Sequence, residues 1–173
     1  MTKYLFSFDV ETMGLFGPAF AVACTIFSPD GKIVESKLFY CPPDKCNEDD
    51  LKWVKENVLI HMVGIEYNCK DIESLYNDFW DYWMLWKDKS MMIADVIHPV
   101  ESSFITNCIK CDLEKRKWNG PYPFLDVSSM EHMVDKEKVE SFEKSLYKEY
   151  PNHYVLADSI RCGLKYFFIK NKL

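Results

Sequence analysis

Runs of apolar and aromatic residues alternate with polar turns over the first 40 residues of the chain. The segments 3–9, 19–27 and 32–40 are short and rich in aromatic and β-branched residues, a pattern that predicts three strands. Pro29-Asp30-Gly31 separates the last two, and it favours a tight turn because proline presets φ and glycine accepts a positive φ. We therefore expect three successive antiparallel strands at the start of the chain.

Helical periodicity begins further along. Apolar residues recur every three or four positions over 71–86, which predicts a helix whose aromatic stripe packs against the core. A shorter helix is expected around 51–58, where Asp49 or Asp50 provides a cap. Pro99 is suited to begin a helix running to about Lys117. The remaining helices are predicted over 135–150 and 154–169.

Two more strands complete the pattern. SMMIAD (90–95) predicts a fourth strand that ends in an acid, and PYPFLDVSSM (121–130) contains a fifth. The order β-β-β-α-β-α-β-α-α is typical of the α/β class. We expect one domain over residues 1–173, with a mixed sheet of about five strands flanked by helices.

Composition restricts the function. The 173 residues are 48% hydrophobic and carry a net charge of −6, which argues against gripping long nucleic acids through their phosphates. A short nucleotide substrate held through metal ions remains compatible with this charge. The N-terminal segment does not resemble a signal peptide, and no apolar run is long enough to span a bilayer, so we expect a soluble cytoplasmic protein.

The seven cysteines are expected to be reduced thiols in such a protein. Cys108 and Cys111 form a CxxC, and Cys41 lies near Cys46. Since no second CxxC or histidine pair completes a four-ligand zinc site, buried thiols are the favoured interpretation.

Four acids occupy informative positions. Asp9 and Glu11 point to the same face of the first strand, because residues two apart on a strand do so. Asp95 ends the fourth strand, which in sheets of this order commonly lies beside the first. Asp158 is near the start of the last helix, five residues after His153. Crowded carboxylates need a compensating cation, and hard divalent ions such as Mg²⁺ or Mn²⁺ prefer oxygen ligands.

These motifs resemble a known family. FDVET, the aspartate of MMIADV, and HYVLAD together resemble the DEDD exonucleases, specifically the DEDDh subgroup, in which a histidine lies five residues before the final aspartate. ETMG, LDVSSM and HYVLADSIRCGLKYF also resemble segments of oligoribonuclease-type members. The resemblance is patchy but touches every segment from residue 5 to about 168.

The resemblance implies an RNase H-like fold and a two-metal 3′–5′ exonuclease that releases 5′-mononucleotides from short single-stranded RNA or DNA with a free 3′ end. The implied cofactors are two divalent ions, Mg²⁺ or Mn²⁺. Since oligoribonuclease-like members are often dimers, a homodimer is the analogous expectation. The implied residues are the metal ligands Asp9, Glu11, Asp95 and Asp158, the general base His153, and the terminal-nucleotide site Met13, Gly14, Leu15 and Phe16.

The identity of the third ligand is open. The family usually places this acid just ahead of a helix, with an aromatic residue or leucine three to four residues later, and Glu101 followed by Phe104 fits that register. We favour Asp95 because a short acid at a rigid strand end fixes metal geometry better. Glu101 then has a supporting position behind the ligands, or is an acid favoured by the helix dipole.

Two other functions suit the same pattern. One is a non-catalytic nucleotide-binding module on the same fold, which the intact set of acids and histidine disfavours. The other is a metal-dependent phosphodiesterase for small or cyclic nucleotides. The preference between RNA and DNA is undecided at this level, because it depends on contacts to the 2′-hydroxyl.

Overall fold

A five-stranded mixed sheet forms the centre of the protein, as a computed structural model of residues 3–43 and 48–173 shows. The strand order is β3-β2-β1-β4-β5, in which β1 to β3 are antiparallel neighbours and β4 and β5 run parallel to β1. The strands are β1 (Tyr4–Thr12), β2 (Ala19–Phe27), β3 (Ile33–Tyr40), β4 (Ser90–Ala94) and β5 (Phe124–Asp126). The predicted α/β class and the five strands are confirmed.

Helices flank this sheet. Those described are α1 (Glu48–Asn57), α2 (Ile72–Trp86), α3 (Ser102–Lys110), α4 (Leu113–Arg116), α5 (Val127–Met130), α6 (Lys136–Leu146) and α7 (Val155–Lys170). Asp49 and Asp50 lie in the first turn of α1. None of the helices in the described part of the chain is both long and apolar enough to cross a membrane.

The single helix expected from Pro99 to Lys117 is wrong. A π-helical turn, Ile97–Glu101, precedes α3, and the chain breaks again before α4. The second break arises because Asp112 leaves the helical conformation and its carboxylate accepts the amide of Lys115. The fifth strand is likewise short, because Asp126 accepts the Ser129 amide and so begins α5.

The cysteines do not gather into a metal site in the described residues. Cys108 is buried in α3, whereas Cys111 is exposed just beyond it. Cys46 lies outside the described residues. Among the described side chains, groups of three or more potential ligands contain carboxylates alone.

The two faces of β1 have different partners. Phe6 and Phe8 point to one face and pack edge-on or tilted against Phe79 of α2, so the aromatic stripe of that helix is core, as predicted. Leu5 points to the other face and belongs to a second apolar cluster that includes Ile169 of α7. Because side chains alternate along a strand, Asp9 and Glu11 lie on the α7 face.

Helix α7 packs very closely on the sheet. A Cβ atom at Gly163 would lie 2.1 Å from the Phe27 ring, so glycine permits the close approach. Ser7 of β1 donates a 2.7 Å hydrogen bond to the Ser159 carbonyl, and the Ser159 and Thr25 hydroxyls are 2.8 Å apart. These buried polar contacts hold the first turns of α7 against β1 and β2.

The parallel register of β1 and β4 brings their carboxyl ends together. Ser7 is paired with Ile93, so Asp9 and Asp95 follow at the same edge of the sheet. The expectation that the fourth strand lies beside the first is confirmed.

Candidate metal and nucleotide site

Three acids converge where β1 ends. Carboxylate oxygens of Asp9, Glu11 and Asp158 all lie within 4.8 Å of one another. Strand alternation places the first two side by side, and the packing of α7 brings in the third from its first turn. This group is the one set of three or more such ligands within residues 3–43 and 48–173.

Crowding and burial make the two acids of β1 hard to ionise. The pKa of Asp9 is raised, first by burial and then by repulsion from Asp95, although Arg161 opposes the rise. The pKa of Glu11 is raised by burial and by repulsion from Asp9 and Glu101. A divalent cation would relieve both effects, and an all-oxygen ligand set suits Mg²⁺ or Mn²⁺. The residues present therefore fit a hard divalent ion.

Glu101 is a fourth acid at this place. It is 8% exposed and ends the π-helical turn that precedes α3. Its pKa is raised by burial and by repulsion from Asp9 and Asp95, whereas hydrogen bonding from the backbone at Glu101 and Val10 opposes the rise. Since Val10 separates the two acids of β1, the Glu101 carboxylate lies against the same stretch of strand.

Asp95 is bound differently. Its Oδ1 atom lies 2.5 Å from the Lys165 Nζ atom and accepts a 2.9 Å hydrogen bond from the Ser128 hydroxyl. The side chain is 44% exposed, yet it is near enough to Asp9 to raise the pKa of that residue. Glu101 thus lies near enough to Asp9 and Glu11 for mutual repulsion but outside the group of three acids within 4.8 Å, and Asp95 is paired with a lysine.

Lys165 forms ion pairs with three acids. Besides Asp95, its Nζ atom lies 2.6 Å from Glu131 and 3.1 Å from Glu143 of α6. Burial alone would lower the pKa of this 2% exposed lysine, but the surrounding carboxylates outweigh burial and raise it. The lysine is therefore a permanent cation that ties α6 and the segment after β4 to α7.

Arg161 adds a second cation. It forms an ion pair with Asp158 one turn earlier on α7, and its guanidinium lies over the Tyr147 ring, 4.8 Å from the ring centroid. Its Nε atom is buried and has no hydrogen-bond partner in the described part of the protein.

His153 lies in the loop before α7. It is exposed, has a φ of 58°, and its ring packs edge-on against Trp53 of α1 at a centroid distance of 5.4 Å. Partial burial lowers its pKa, and the charges of Arg161 and His61 lower it further. The neutral form, which accepts a proton, is thereby favoured near neutral pH.

A cavity of about 350 Å³ opens beside the acids. Its lining combines one acid of the cluster with apolar and aromatic side chains from three segments. The lining residues are Val10, Glu11, Thr12, Gly14, Leu15, Asp50, Trp53 and Val100. Such a mixture of apolar walls and few polar groups is typical of small-molecule sites.

Of the four residues expected to hold a terminal nucleotide, two line this cavity and two do not. Gly14 and Leu15 line this cavity, whereas Phe16 is 83% exposed and lines an adjoining smaller pocket with Leu15. Met13 is buried in the core. Gly14 has a φ of +88°, and a Cβ atom there would lie 2.4 Å from the Asp50 carboxylate, so the cavity wall requires glycine.

Several residues of this site were not identified from the sequence. Trp53 and Val100 carry no motif, because their place in the cavity depends on how α1 and the segment before α3 pack. The proximity of Arg161 and Lys165 to Asp158 could have been predicted, since they follow it by three and seven residues and so lie on the same face of the helix.

The fold is that of known exonucleases. No family model matches the chain, and no curated protein matches it by sequence. Among solved structures, exonuclease I superposes with a TM-score of 0.64 at 14% identity, covering 98% of this chain and 41% of that one. A zinc-bound E. coli ExoI–ssDNA complex gives 0.64 at 12% identity, covering 99% and 41%.

A third structure is more nearly equal in length. The nuclease domain of 3′hExo, a DEDDh family member bound to rAMP, superposes with a TM-score of 0.60 at 14% identity, covering 98% of this chain and 92% of that domain. The chain therefore has the RNase H-like fold of the DEDDh exonucleases, and it spans about two fifths of the length of exonuclease I.

Proposed function

We propose that the protein is a metal-dependent 3′–5′ exonuclease that hydrolyses short single-stranded RNA or DNA to 5′-mononucleotides inside the cell. The observation that carries the proposal is the convergence of Asp9, Glu11 and Asp158 beside a nucleotide-sized cavity. The fold adds support, since the similar structures are exonucleases, one bound to single-stranded DNA and one to rAMP.

Two divalent ions, Mg²⁺ or Mn²⁺, are the proposed cofactors, and Asp9, Glu11 and Asp158 are three of the proposed ligands. When bound, such ions acidify water and stabilise the charge that develops on a phosphate. We now favour Glu101 over Asp95 as the fourth acid. Glu101 is buried and is repelled by Asp9 and Asp95, whereas Asp95 already has Lys165 as its counterion.

The cavity is the proposed site for the 3′-terminal nucleotide. Trp53 and Leu15 offer apolar surfaces for a base, and Val100 closes the side next to Glu101. The small volume and the net charge of −6 favour a short, single-stranded chain end over a long duplex. A free 3′ end is then the part of the substrate that enters.

His153 is the proposed general base. Its lowered pKa keeps the ring neutral at physiological pH, so it can take a proton from the attacking water. Trp53, which lines the nucleotide cavity, contacts the imidazole edge-on and so restricts its orientation. The proton moves to a ring nitrogen as the water oxygen attacks phosphorus. The bond between phosphorus and the 3′-oxygen of the preceding nucleotide breaks, so the terminal residue leaves as a 5′-mononucleotide and the shortened chain keeps its 3′-oxygen.

Variant enzymes test these assignments. Short 5′-labelled oligonucleotides are incubated with Mg²⁺ or Mn²⁺ and with wild type or His153→Ala. We expect a ladder shortened from the 3′ end with wild type and a loss of about 100-fold or more with His153→Ala. His132→Ala is the control, because that histidine lies outside the site. A cyclic or mononucleotide substrate cleaved in preference to oligonucleotides contradicts the proposal.

The fourth acid is tested by a matched pair. Glu101→Gln is expected to abolish metal-dependent cleavage, whereas Asp95→Asn is expected to lower the cleavage rate by about 10- to 100-fold, because Asp95 acts through its neighbours. Cleavage rates over a Mn²⁺ titration distinguish the two. An inactive Asp95→Asn beside an active Glu101→Gln would restore Asp95 as the ligand.

A further inference from the structure

Arg161 brings a positive charge into the acidic end of the sheet. Its side chain is 13% exposed and forms the ion pair with Asp158. The same charge opposes the raised pKa of Asp9 and lowers the pKa of His153. The guanidinium therefore acts electrostatically on three of the groups assigned to catalysis.

The hydrogen-bonding capacity of this guanidinium is only partly used. It carries five N–H donors, of which Nη2 faces Asp158, while one face of the group lies on Tyr147. The Nε donor is buried and unpartnered in the described protein, an arrangement that costs free energy. Donors remain for a second acceptor at this place.

We propose that Arg161 is the counterion of Asp158 before a metal ion binds, and that the metal ion then replaces Arg161 as the partner of Asp158. In the ion-free protein Arg161 neutralises Asp158. When Asp158 binds a divalent ion, its attraction for the guanidinium weakens, and Arg161 turns its donors to a phosphate oxygen of the substrate. This inference rests on the function proposed above and deepens it by assigning the residue that binds the phosphate.

Elementary electrostatics supports the exchange. A carboxylate shared between a divalent ion and a guanidinium places two cations against each other, which is unfavourable at short range. A phosphate supplies the missing negative charge, and the planar guanidinium fork matches its oxygens. The exchange therefore predicts opposite effects of Arg161 on the binding of metal and of nucleic acid.

Both effects are measured without turnover. Mn²⁺ binding is followed by electron paramagnetic resonance in the absence of nucleic acid. Binding of a short oligonucleotide with a 3′-terminal phosphorothioate linkage is followed by fluorescence anisotropy at saturating Mn²⁺. For Arg161→Met we expect Mn²⁺ to bind about tenfold more tightly and the oligonucleotide about tenfold more weakly.

Two further variants serve as controls. Lys32→Met removes an exposed positive charge in the β2–β3 turn and should change neither affinity. Arg161→Lys keeps the charge but loses the fork, so Mn²⁺ affinity should stay near that of wild type while oligonucleotide affinity is intermediate.

Only effects of opposite sign support the exchange. If Arg161→Met weakens both affinities, Arg161 is structural and the inference is overturned; two unchanged affinities, or a change in one alone, overturn it as well. A wild type that binds no Mn²⁺ overturns it together with the proposed function. A wild type that binds Mn²⁺ and oligonucleotide yet releases no mononucleotide contradicts the proposed function alone.

Discussion

Glu101 and Asp95 show how a single partner decides what an acid can do. Both lie at the carboxyl edge of the sheet, and both raise the pKa of a neighbouring acid. Asp95 has a lysine within 2.5 Å, so its charge is compensated in the ion-free protein. Glu101 is surrounded by other acids and by backbone, so it is stable when protonated or when a metal ion is bound.

A pH-dependent stability difference follows for Glu101→Gln. A raised pKa means that the folded protein holds the proton more tightly than the unfolded chain. The stability from this group is present below pH 4.5, the ordinary pKa of glutamate, and is lost as the pH rises through the raised value. In EDTA we therefore expect Glu101→Gln to match wild type at pH 4 and to exceed it by about 1–3 kcal/mol at pH 8.

Urea unfolding at the two pH values measures this difference. Comparing the variant with wild type at each pH cancels the contributions of titrating groups that do not interact with Glu101. Glu11 does interact with it, and removing the Glu101 charge takes away one cause of the raised pKa of Glu11, which adds to the expected difference at pH 8. Added Mg²⁺ should reverse the order at pH 8, because the metal stabilises wild type more than the variant. An equal difference at both pH values would contradict the account of Glu101.

Trp53 is expected to act on substrate binding. Trp53→Ala removes the largest wall of the cavity and the ring that His153 packs against. We expect KM for a short oligonucleotide to rise about tenfold or more, since stacking on one aromatic ring is worth about 1–3 kcal/mol per base. Trp118→Ala is the control, because Trp118 is 83% exposed and does not line the cavity. Equal effects of the two substitutions on KM would refute this role.

Helix α7 is the element that assembles the site. Asp158, Arg161 and Lys165 follow one another along a single face, and hydrogen bonds of Ser159 hold the start of the helix to β1 and β2. The helix thus supplies one acid to the cluster, one cation within it and one cation behind it. Its close packing, permitted by Gly163, sets how near these groups come to β1.

The buried lysine should make a large contribution to stability. Lys165→Met leaves Asp95, Glu131 and Glu143 without their shared cation. Because these carboxylate side chains are 44%, 16% and 23% exposed, the expected loss is about 1–3 kcal/mol, less than for a fully buried ion pair. Lys170→Met changes an exposed residue at the end of the same helix and should cost less than about 0.5 kcal/mol. Urea unfolding at pH 7 compares the two, and similar losses would contradict the central place given to Lys165.

Across the whole molecule, local patterns predicted more of the fold than of the site's surroundings. Short apolar and aromatic runs bounded by polar turns predicted all five strands, because a strand covered on both faces, such as β2, forms a continuous apolar run. The motif at 9–11 and the pair 153 and 158 were visible because each lies within one segment. The break after α3 was not predicted, because the residue pattern continues as one helix while the Asp112 side chain caps the start of α4 and so interrupts it.

Contacts between distant segments account for the rest. The preference for Asp95 rested on its strand end, and nothing near it in the sequence indicated that Lys165 would bind it. Trp53 reaches the cavity from α1 through packing that no motif encodes. The places of such residues in the site depend on tertiary packing. A sequence pattern therefore identifies the acids of the cluster, but not the cations and aromatic residues that surround them.

Direction and product of cleavage provide the most direct test of the central claim. A 5′-labelled RNA of about five nucleotides and its DNA counterpart are incubated with Mg²⁺ or Mn²⁺, and released products are separated by chromatography. We expect stepwise loss from the 3′ end, 5′-mononucleotides as the released product, and no reaction in EDTA or with Asp9→Asn. A wild type that cleaves neither oligomer with either metal, or that shortens them equally well without metal, would contradict the claim.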